Sequence, residues 1–406
     1  MQLKLLNFHK IVSQFATNIV GAFVALIIYQ STGSLTWAFA YLTALNILKI
    51  VFTKIFYRVI QNKPQLILLI RIIPFLIYSL SILLLDTQFQ ILGIILILVF
   101  QALSEAFREL PHEYVFNYSV SGNVGSLTGL SRFFEYFGVL VAILIGGLFL
   151  DNLNKWVVVC VSCVSYLISV VPLFIYYLKK RRNVGFNKDS VSDAVISYKQ
   201  IKIKKHQLEV LRDKVLKNYF LVYFFFCVFD SLMNVFSLYL FKMSAESFSF
   251  SAYIQMAYNG LFGLGCLFVG RLEDRVDLTK SVVVSCLVSS ALVMIVPFVT
   301  NLILIEIVLF GAMGFFYSFI SIFCYSRMTT RCKILGVNNK ALYNRTNSSR
   351  YSRIMIDTLC MFGPVMLIPS FFVMGGVSIF CAYFIPKKEE QSRQYIVDFL
   401  QNNKMY

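Results

Sequence analysis

The stretch GRLEDRVDLTK, residues Gly270–Lys280, lies between two long apolar runs and decides how this chain is organised. A glycine ends the first run, an Asp-Arg pair follows, and a lysine opens the second run. A related stretch, TKIFYRVIQNK at 53–63, lies 217 positions earlier and also separates two apolar runs. Two such segments in one register predict a membrane protein built from two related halves.

A second pair of segments repeats at nearly the same distance. The Ser-Arg pair ending at Arg132 opens one apolar run, and the Ser-Arg pair ending at Arg353 opens another, 221 positions later. An acidic residue follows each pair within about one helical turn, Glu135 in the first half and Asp357 in the second. The two nearly equal offsets support an internal duplication.

The composition restricts the chain to the class of membrane proteins. Of its 406 residues 58% are hydrophobic and 14% are charged, and the mean hydropathy is +0.73. A soluble core could not bury that much apolar surface, whereas a lipid bilayer can. The net charge of +17 comes from basic residues in short segments between apolar runs. That placement is typical of cytoplasmic loops, so we do not expect nucleic-acid binding.

A membrane span needs about 20 apolar residues, and the sequence contains twelve runs of that kind. We therefore predict an all-α membrane protein with twelve transmembrane helices in two pseudo-symmetric six-helix bundles. The predicted spans cover roughly residues 10–31, 34–57, 65–85, 88–109, 126–150, 155–178, 217–241, 251–271, 280–299, 302–325, 346–366 and 368–385. The predicted domains are an N-terminal bundle at 1–178, a basic cytoplasmic linker at 179–216, a C-terminal bundle at 217–386 and a cytoplasmic tail at 387–406.

The placement of lysine and arginine sets the predicted orientation. Basic residues crowd the linker, the 53–63 and 270–280 connections and the tail, while the alternate connections carry only Lys155 and Lys242. By the positive-inside rule both termini are cytoplasmic. The first apolar run lacks a small-residue cleavage site and is long enough to remain as a span. We expect a multi-pass protein of the cell (plasma) membrane.

With twelve spans, a basic central loop and this loop motif, the chain resembles the major facilitator superfamily. The motif of that family is a glycine, an Asp-Arg pair and a basic residue in the loops after the second and eighth spans. The residues that match it are Gly270, Asp274, Arg275 and Lys280 in the second half, and Arg58 and Lys63 in the first. The segment YQSTGSLTWAFAYL at 29–42 is also similar to a turn of the macrolide-efflux-like branch.

The resemblance implies that the loop motif holds the cytoplasmic side shut when the protein opens outward. Its chemistry agrees with that role, because an aspartate can face the positive N-terminus of a neighbouring helix and a glycine lets two helices approach closely. The first-half copy departs from the pattern, since Thr53 replaces the glycine and Tyr57 the aspartate. The alternative interpretation is that the basic residues are ordinary loop residues on the positive side.

Polar residues within the predicted spans are the candidates for a solute cavity or a proton-coupling site, because charges at membrane depth are costly and face a cavity or a partner. They are Asp230, Asn234, Lys49, Asn46, Asp357, Glu135 and Arg132. Asp230 and Lys49 lack an opposite charge within one turn, which favours a cavity role. Arg132 and Glu135 lie three residues apart, which favours an ion pair that fixes packing.

The architecture predicts a secondary active transporter that works by alternating access. We expect proton-coupled export of a lipophilic small molecule or drug, with a buried acid as the proton carrier and some of the 40 Phe and 23 Tyr lining an apolar cavity. A uniporter would show the same pattern. The alternatives are a lipid or glycolipid flippase of the same fold and a non-transporting scaffold or immunity-type protein. We expect a monomer that is not an enzyme and needs no cofactor or metal, since the sequence has no Walker A loop and no catalytic or metal-spaced cluster.

Overall fold

A computed structural model describes residues 2–119, 124–186, 214–243, 247–299, 303–334, 338–362 and 366–402. The described chain consists of helices joined by short turns and contains no strand. In the first half the helices are α1 (Gln2–Gly21), α2 (Val24–Thr32), α3 (Leu35–Asn62), α4 (Pro64–Ile70), α5 (Ile72–Ser81), α6 (Gln90–Ser119), α7 (Val124–Asn152) and α8 (Lys155–Phe186), with a 3-10 turn at Ile82–Asp86.

The second half repeats this plan. Its helices are α9 (Lys214–Phe226), α10 (Leu232–Met243), α11 (Phe248–Glu273), α12 (Thr279–Ile295), α13 (Ile303–Ile334), α14 (Asn338–Cys360) and α15 (Leu367–Asn402), with 3-10 turns at Cys227–Ser231 and Val296–Phe298. The predicted domain boundaries at 178 and 386 lie inside α8 and α15, and most of the predicted linker lies outside the described residues.

Ten of the described helical segments are long and apolar enough to cross a membrane, and they coincide with ten of the twelve predicted spans. The predicted seventh span consists of α9 and α10, which a 3-10 turn separates. The predicted eleventh span corresponds to α14, a helix of 23 residues with many polar side chains. The seventh span is divided by this turn, and the eleventh contributes the polar residues Arg345, Thr346, Ser349, Arg350 and Arg353 to the cavity between the halves. The all-helical, two-bundle fold is thereby confirmed.

The turn between α2 and α3 explains the TGS sequence noted at 29–42. Gly33 has a φ of 67°, a left-handed conformation that suits glycine, and its N–H donates to the carbonyl oxygen of Tyr29 at 2.7 Å. This bond closes the C-terminus of α2, and α3 starts two residues later. The segment is therefore a tight reversal between the first two spans.

The two halves contact each other along two helix pairs. The antiparallel helices α7 and α11 make the most extensive contact in the described molecule, and α3 packs against α14 on another side of the centre. Within the first half α1 packs on α7 and α8, and within the second half α11 packs on α13. Helices α1, α3, α6, α7, α9, α11, α13 and α14 consequently surround the centre of the bundle, where the candidate site lies.

Candidate solute site

One end of the bundle carries the Gly270–Lys280 loop together with the N-terminal halves of α1 and α7. Asp274 accepts a hydrogen bond from the backbone N–H of Gly125 at 3.0 Å, and Lys10 donates to the hydroxyl of Ser131 at 3.0 Å. We call this end the motif face. It is the end that the sequence predicts to be cytoplasmic.

Glycines allow α7 and α11 to touch backbone to backbone near the motif face. A side chain at Gly270 would bring its Cβ to 2.6 Å from the carbonyl oxygen of Gly125 and 2.9 Å from the Cα of Gly129. Beside this contact, Asp274 accepts hydrogen bonds from the backbone N–H groups of Gly125 and Ser126, the latter at 2.8 Å. The carboxylate thus caps the start of α7, where a helix presents unpaired N–H groups and partial positive charge.

The opposite end of the same helix pair carries a matching cap. Asp151, near the end of α7, accepts hydrogen bonds from the backbone N–H groups of Phe248 at 2.9 Å and Ser249 at 2.7 Å. The hydroxyl of Ser247 also donates to Asp151 at 3.1 Å. Each of the two antiparallel helices therefore ends in an aspartate that caps the start of the other. We call Asp151 and Asp274 the reciprocal caps.

The second contact between the halves, α3 with α14, depends on an arginine. Arg350 of α14 donates through Nη1 to Oγ1 of Thr53 at 2.6 Å and to the carbonyl oxygen of Lys49 at 2.9 Å. Its Nη2 forms an ion pair with Oε2 of Glu109 on α6 at 2.7 Å. Only 2% of Arg350 is exposed, so these bonds hold a buried charge between the halves.

A second cluster of bonds between the halves surrounds Glu113 on α6. Arg345 of α14 pairs with its Oε2 at 3.0 Å, and the hydroxyl of Tyr325 on α13 donates to the same oxygen at 2.5 Å. Arg132 of α7 approaches the other oxygen at 3.4 Å. The guanidinium of Arg345 also lies over the ring of Tyr325, 4.0 Å from its centroid. Together with Arg350 and Glu109, this cluster joins the halves on the motif side of the centre.

A cavity of about 410 Å³ lies between the halves. Its volume is in the range of small-molecule sites. Of the described residues that line it, many are charged, and they come from both halves: Lys10, Lys49, Glu105, Arg108, Glu109, Glu113, Arg132, Glu135, Arg345, Arg350 and Arg353. Neutral polar and aromatic residues complete the lining, among them Gln14, Asn18, Gln101, Asn259, Tyr258 and Tyr317.

The sequence-predicted cavity residues fall into three groups. Lys49, Asn46, Arg132 and Glu135 line the cavity. Asp357 lies directly behind the lining, where it accepts a hydrogen bond from Nδ2 of Asn46 at 3.3 Å. Asp230 belongs to the 3-10 turn between α9 and α10, and Asn234 to the start of α10, but their side chains lie outside the described part of the molecule.

The ion pair expected between Arg132 and Glu135 is present at 3.0 Å. Glu135 also pairs with Lys10 at 3.0 Å and accepts a hydrogen bond from Gln14 at 2.9 Å. Lys49, for which no partner was visible in the sequence, lies 3.9 Å from Glu109. The ion-pair role and the cavity role are therefore not exclusive here, because these residues form ion pairs and also face the cavity.

The basic residues of the loop motif occupy the surface of the motif face. Arg58, Lys63, Arg275 and Lys280 are all exposed. Within the described residues the ion pairs of this surface belong instead to Arg327 of α13. It approaches Glu273 at 3.5 Å, Asp277 at 3.6 Å and Glu389 of α15 at 3.9 Å. Of the described motif residues, Gly270 and Asp274 are the ones that contact the other half.

Several residues of the site were not among the sequence candidates. Glu113, Arg345, Arg350 and Tyr325 meet only because α6, α13 and α14 converge. His9 and His112 are also buried, and their rings stack with centroids 5.1 Å apart. A signal for part of this set was present, because Arg350 and Arg353 are three residues apart and thus share a helix face.

The geometry is that of a two-lobed, multi-pass membrane protein with a solute-sized cavity between its lobes. A family model described as the Major Facilitator Superfamily matches residues 8–344, and the chain belongs to this superfamily. Its members are secondary active transporters that bind small-molecule substrates, and they are not enzymes. The chain is accordingly an integral membrane protein of the transporter class.

Solved structures agree with this assignment at the level of the fold. The structure of the superfamily's proton:xylose symporter XylE, bound to 6-bromo-6-deoxy-D-glucose, is similar with a TM-score of 0.68. The similarity covers 95% of this chain and 94% of that chain at 12% sequence identity. At this identity the likeness concerns the fold alone. No curated protein sequence matches the chain.

Proposed function

We propose that this transporter carries a polar solute through the cavity between its halves by alternating access. The observation that carries the proposal is the position of the charged lining. Residues of both halves face one cavity, and the bonds of Arg350 with Glu109 and of Arg345 with Glu113 join the halves on the motif side. Breaking these bonds would open the cavity toward the motif face, while the contacts at the other end stay closed.

The lining favours a polar cargo over the lipophilic drug that the sequence suggested. A cavity for a lipophilic molecule needs apolar area with few polar contacts, whereas the lining here includes eleven charged side chains. Many aromatic residues lie elsewhere in the core. Phe236 and Phe310, for example, are fully buried and stack on each other with ring centroids 3.8 Å apart.

Asp357 is the best-supported candidate for proton coupling. It is fully buried in α14, and its Oδ2 accepts one hydrogen bond from the neutral amide of Asn46. Its Oδ1 is buried without a hydrogen-bond partner among the described residues. A carboxyl group in such a position gains from carrying a proton, because the protonated form removes a buried charge. We therefore propose that Asp357 exchanges a proton during the cycle. Asn46, which lines the cavity and donates to Asp357, would change its hydrogen bond when the proton moves.

The experiment that tests alternating access needs no knowledge of the solute. Asn18 lines the cavity in the middle of the first span, and Asn18→Cys places a thiol there. Membrane vesicles of both orientations are treated with a membrane-impermeant maleimide, and the wild type, with its nine native cysteines, gives the background. We expect the introduced thiol to react from both sides of the membrane, because the cavity opens to each side in turn.

A lipid-facing residue provides the matched control. Val164 is 55% exposed near the middle of the span Lys155–Ile175 and does not line the cavity, so a thiol introduced by Val164→Cys should face lipid and stay unlabelled from either side. Labelling of Asn18→Cys from one side only would contradict alternating access. It would support instead the scaffold or immunity-type alternative, in which the cavity serves no transport.

A further inference from the structure

The cavity lining has an excess of positive charge. Of the described lining residues seven are basic and four are acidic, an excess of three positive charges. The acidic members are Glu105, Glu109, Glu113 and Glu135. Every one of them already lies within 4.0 Å of at least two basic nitrogens. The acids of the lining are therefore shared between several cations and cannot balance them all.

The charges directly behind the lining do not remove the excess. Arg71 is fully buried and reaches Glu105 at 3.8 Å, while its Nη2 donates to Thr17 at 2.8 Å. Asp357 lies behind Asn46. When Asp357 is ionised, its charge offsets that of Arg71, and when it carries the proton proposed for it, the positive excess grows by one. Unbalanced charge at membrane depth is costly, so a ligand of the opposite sign would stabilise the site.

Two guanidinium groups have donors left over. The Nη1 of Arg345 and the Nε of Arg350 are buried and have no hydrogen-bond partner among the described residues. The residues themselves are 4% and 2% exposed, and both line the cavity. A guanidinium presents its donors in a planar fork that matches the oxygens of a carboxylate or a phosphate. Because both side chains line the cavity, an oxyanion bound there would lie beside guanidinium groups that have unused donors.

We propose that the solute of this transporter is a multiply charged organic anion, bound between the basic residues of the two halves. The inference rests on the proposed function and specifies its substrate class. Lys10, Lys49, Arg108 and Arg132 approach the anion from the first half, and Arg345 and Arg350 approach it from the second. An anion that contacts both halves competes with Glu109 and Glu113 for their arginines. Its binding is therefore coupled to the bonds that keep the motif side closed.

The same oxyanion chemistry occurs in water-soluble organic anions and in the headgroups of acidic lipids. The test begins with binding by the full-length protein in a neutral detergent, with citrate, glucose 6-phosphate and uncharged glucose as probes. We expect at least one of the two anions to bind about tenfold more tightly than glucose, since hydrogen bonds between charged groups contribute more than neutral ones. Equal binding of the three probes, or binding of glucose alone, would overturn the proposal unless the lipid arm of the test is positive.

The lipid arm uses vesicles that contain a fluorescent short-chain phosphatidic acid, whose phosphomonoester can carry two charges, and, separately, its phosphatidylcholine counterpart. Accelerated transfer of the acidic lipid alone, abolished in Arg345→Gln, would identify a lipid headgroup as the source of the anion. Transfer of neither lipid, with tight binding of citrate or glucose 6-phosphate, would identify a soluble anion. The absence of a charge preference in both arms overturns the inference.

Two variants that change the charge of the cavity in opposite directions distinguish a role in binding the anion from a role in folding. Arg345→Gln should weaken binding of the preferred anion about tenfold or more, because it removes a buried donor to a charged ligand. Glu113→Gln should strengthen that binding, because it removes the anion that competes for Arg345. A merely structural role would make both variants bind more weakly. Lys155→Gln removes one positive charge outside the cavity, from a surface pair with Asp86, and should leave the affinity unchanged.

The proposed function and this inference can fail separately. If Asn18→Cys reacts from both sides but no anionic probe is preferred, alternating access holds and the substrate class is wrong. If an anion binds and Asn18→Cys reacts from one side only, the site recognises anions but does not alternate.

Discussion

Arg350 and Thr53 form a hydrogen bond of 2.6 Å at the positions that correspond, through the internal duplication, to Gly129 and Gly270. Thr53 lies 217 positions before Gly270, and Arg350 lies 221 positions after Gly129, which are the two offsets found in the sequence. One contact between the halves is therefore a close approach of two glycines, and its counterpart is a buried arginine bound to a threonine. The two helix pairs keep the same register but use different chemistry.

This relationship explains why the first-half motif has lost its aspartate. Asp274 caps α7, which begins at Val124, beside the loop. Its counterpart Tyr57 faces the side of α14, which begins earlier, at Asn338. No helix start lies there for an acid to cap, and Tyr57 packs edge to face against Tyr343 with centroids 4.8 Å apart. The substitution thus fits the local geometry.

The glycine contact gives the first prediction. Gly270→Ala places a Cβ 2.6 Å from a backbone oxygen that cannot move aside, so α7 and α11 must separate. We expect loss of labelling from one side in the Asn18→Cys assay and a lower thermal unfolding temperature in detergent. Gly376→Ala is the matched control, because no atom lies within 4 Å of its added Cβ. Equal behaviour of the two variants would contradict the steric role of Gly270.

The second prediction concerns Thr53. Thr53→Val keeps the shape of the side chain but removes the shortest hydrogen bond of the Arg350 Nη1 group, which keeps its bond to the carbonyl oxygen of Lys49. We expect a loss of about 1–3 kcal/mol in the free energy of unfolding, measured by denaturant titration in detergent. Thr36 is exposed at the start of α3, and Thr36→Val should change stability by less than about 0.5 kcal/mol. A loss of the same size in both variants would refute the assignment.

The reciprocal caps predict opposite effects of two similar substitutions. Asp274→Ala removes the cap at the motif face, and Asp151→Ala removes the cap at the other end. Loss of a helix cap costs about 0.5–2 kcal/mol, so each variant should favour the state that is open at its own end. The measurement is the ratio of Asn18→Cys labelling rates from the two sides. A shift in the same direction for both variants would show that the caps do not act as gates.

Proton coupling can be tested once the anion panel has identified a transported probe. In proteoliposomes Asp357→Asn should keep exchange of that probe down its gradient, because the solute contacts remain. Accumulation driven by an imposed pH gradient should be lost, since the asparagine cannot carry the proton. Glu306→Gln is the control, because Glu306 is a buried acid of α13 that does not line the cavity. Normal accumulation by Asp357→Asn would remove this residue from the coupling mechanism.

The sequence was informative where local patterns determine structure. Repeats at nearly equal offsets predicted two halves, runs of apolar residues predicted the spans, and Gly270 with Asp274 marked a contact between helices. Asn46 and Lys49 were noticed because polar residues stand out within an apolar run. They line the cavity.

The remainder of the site depends on how distant segments converge. Nothing near Glu113 in the sequence indicates Arg345, more than two hundred positions away, and the bond exists only in the assembled bundle. The many polar residues of α14 make it the least apolar of the predicted spans, but composition does not reveal that its arginines face the other half and the cavity. A lipophilic cargo was inferred from composition, which counts aromatic residues without regard to where they lie.

The aspartates at the two ends of the α7 and α11 pair have a mechanical consequence. Because the ends of this pair are fastened by the same kind of bond, neither end is intrinsically the weaker one. The charges in the cavity between the halves then decide which side is open at rest, because the two ends of the helix pair do not differ. Substitutions in the cavity should therefore change which side is open at rest while the α7 and α11 pair and its two aspartate caps stay intact.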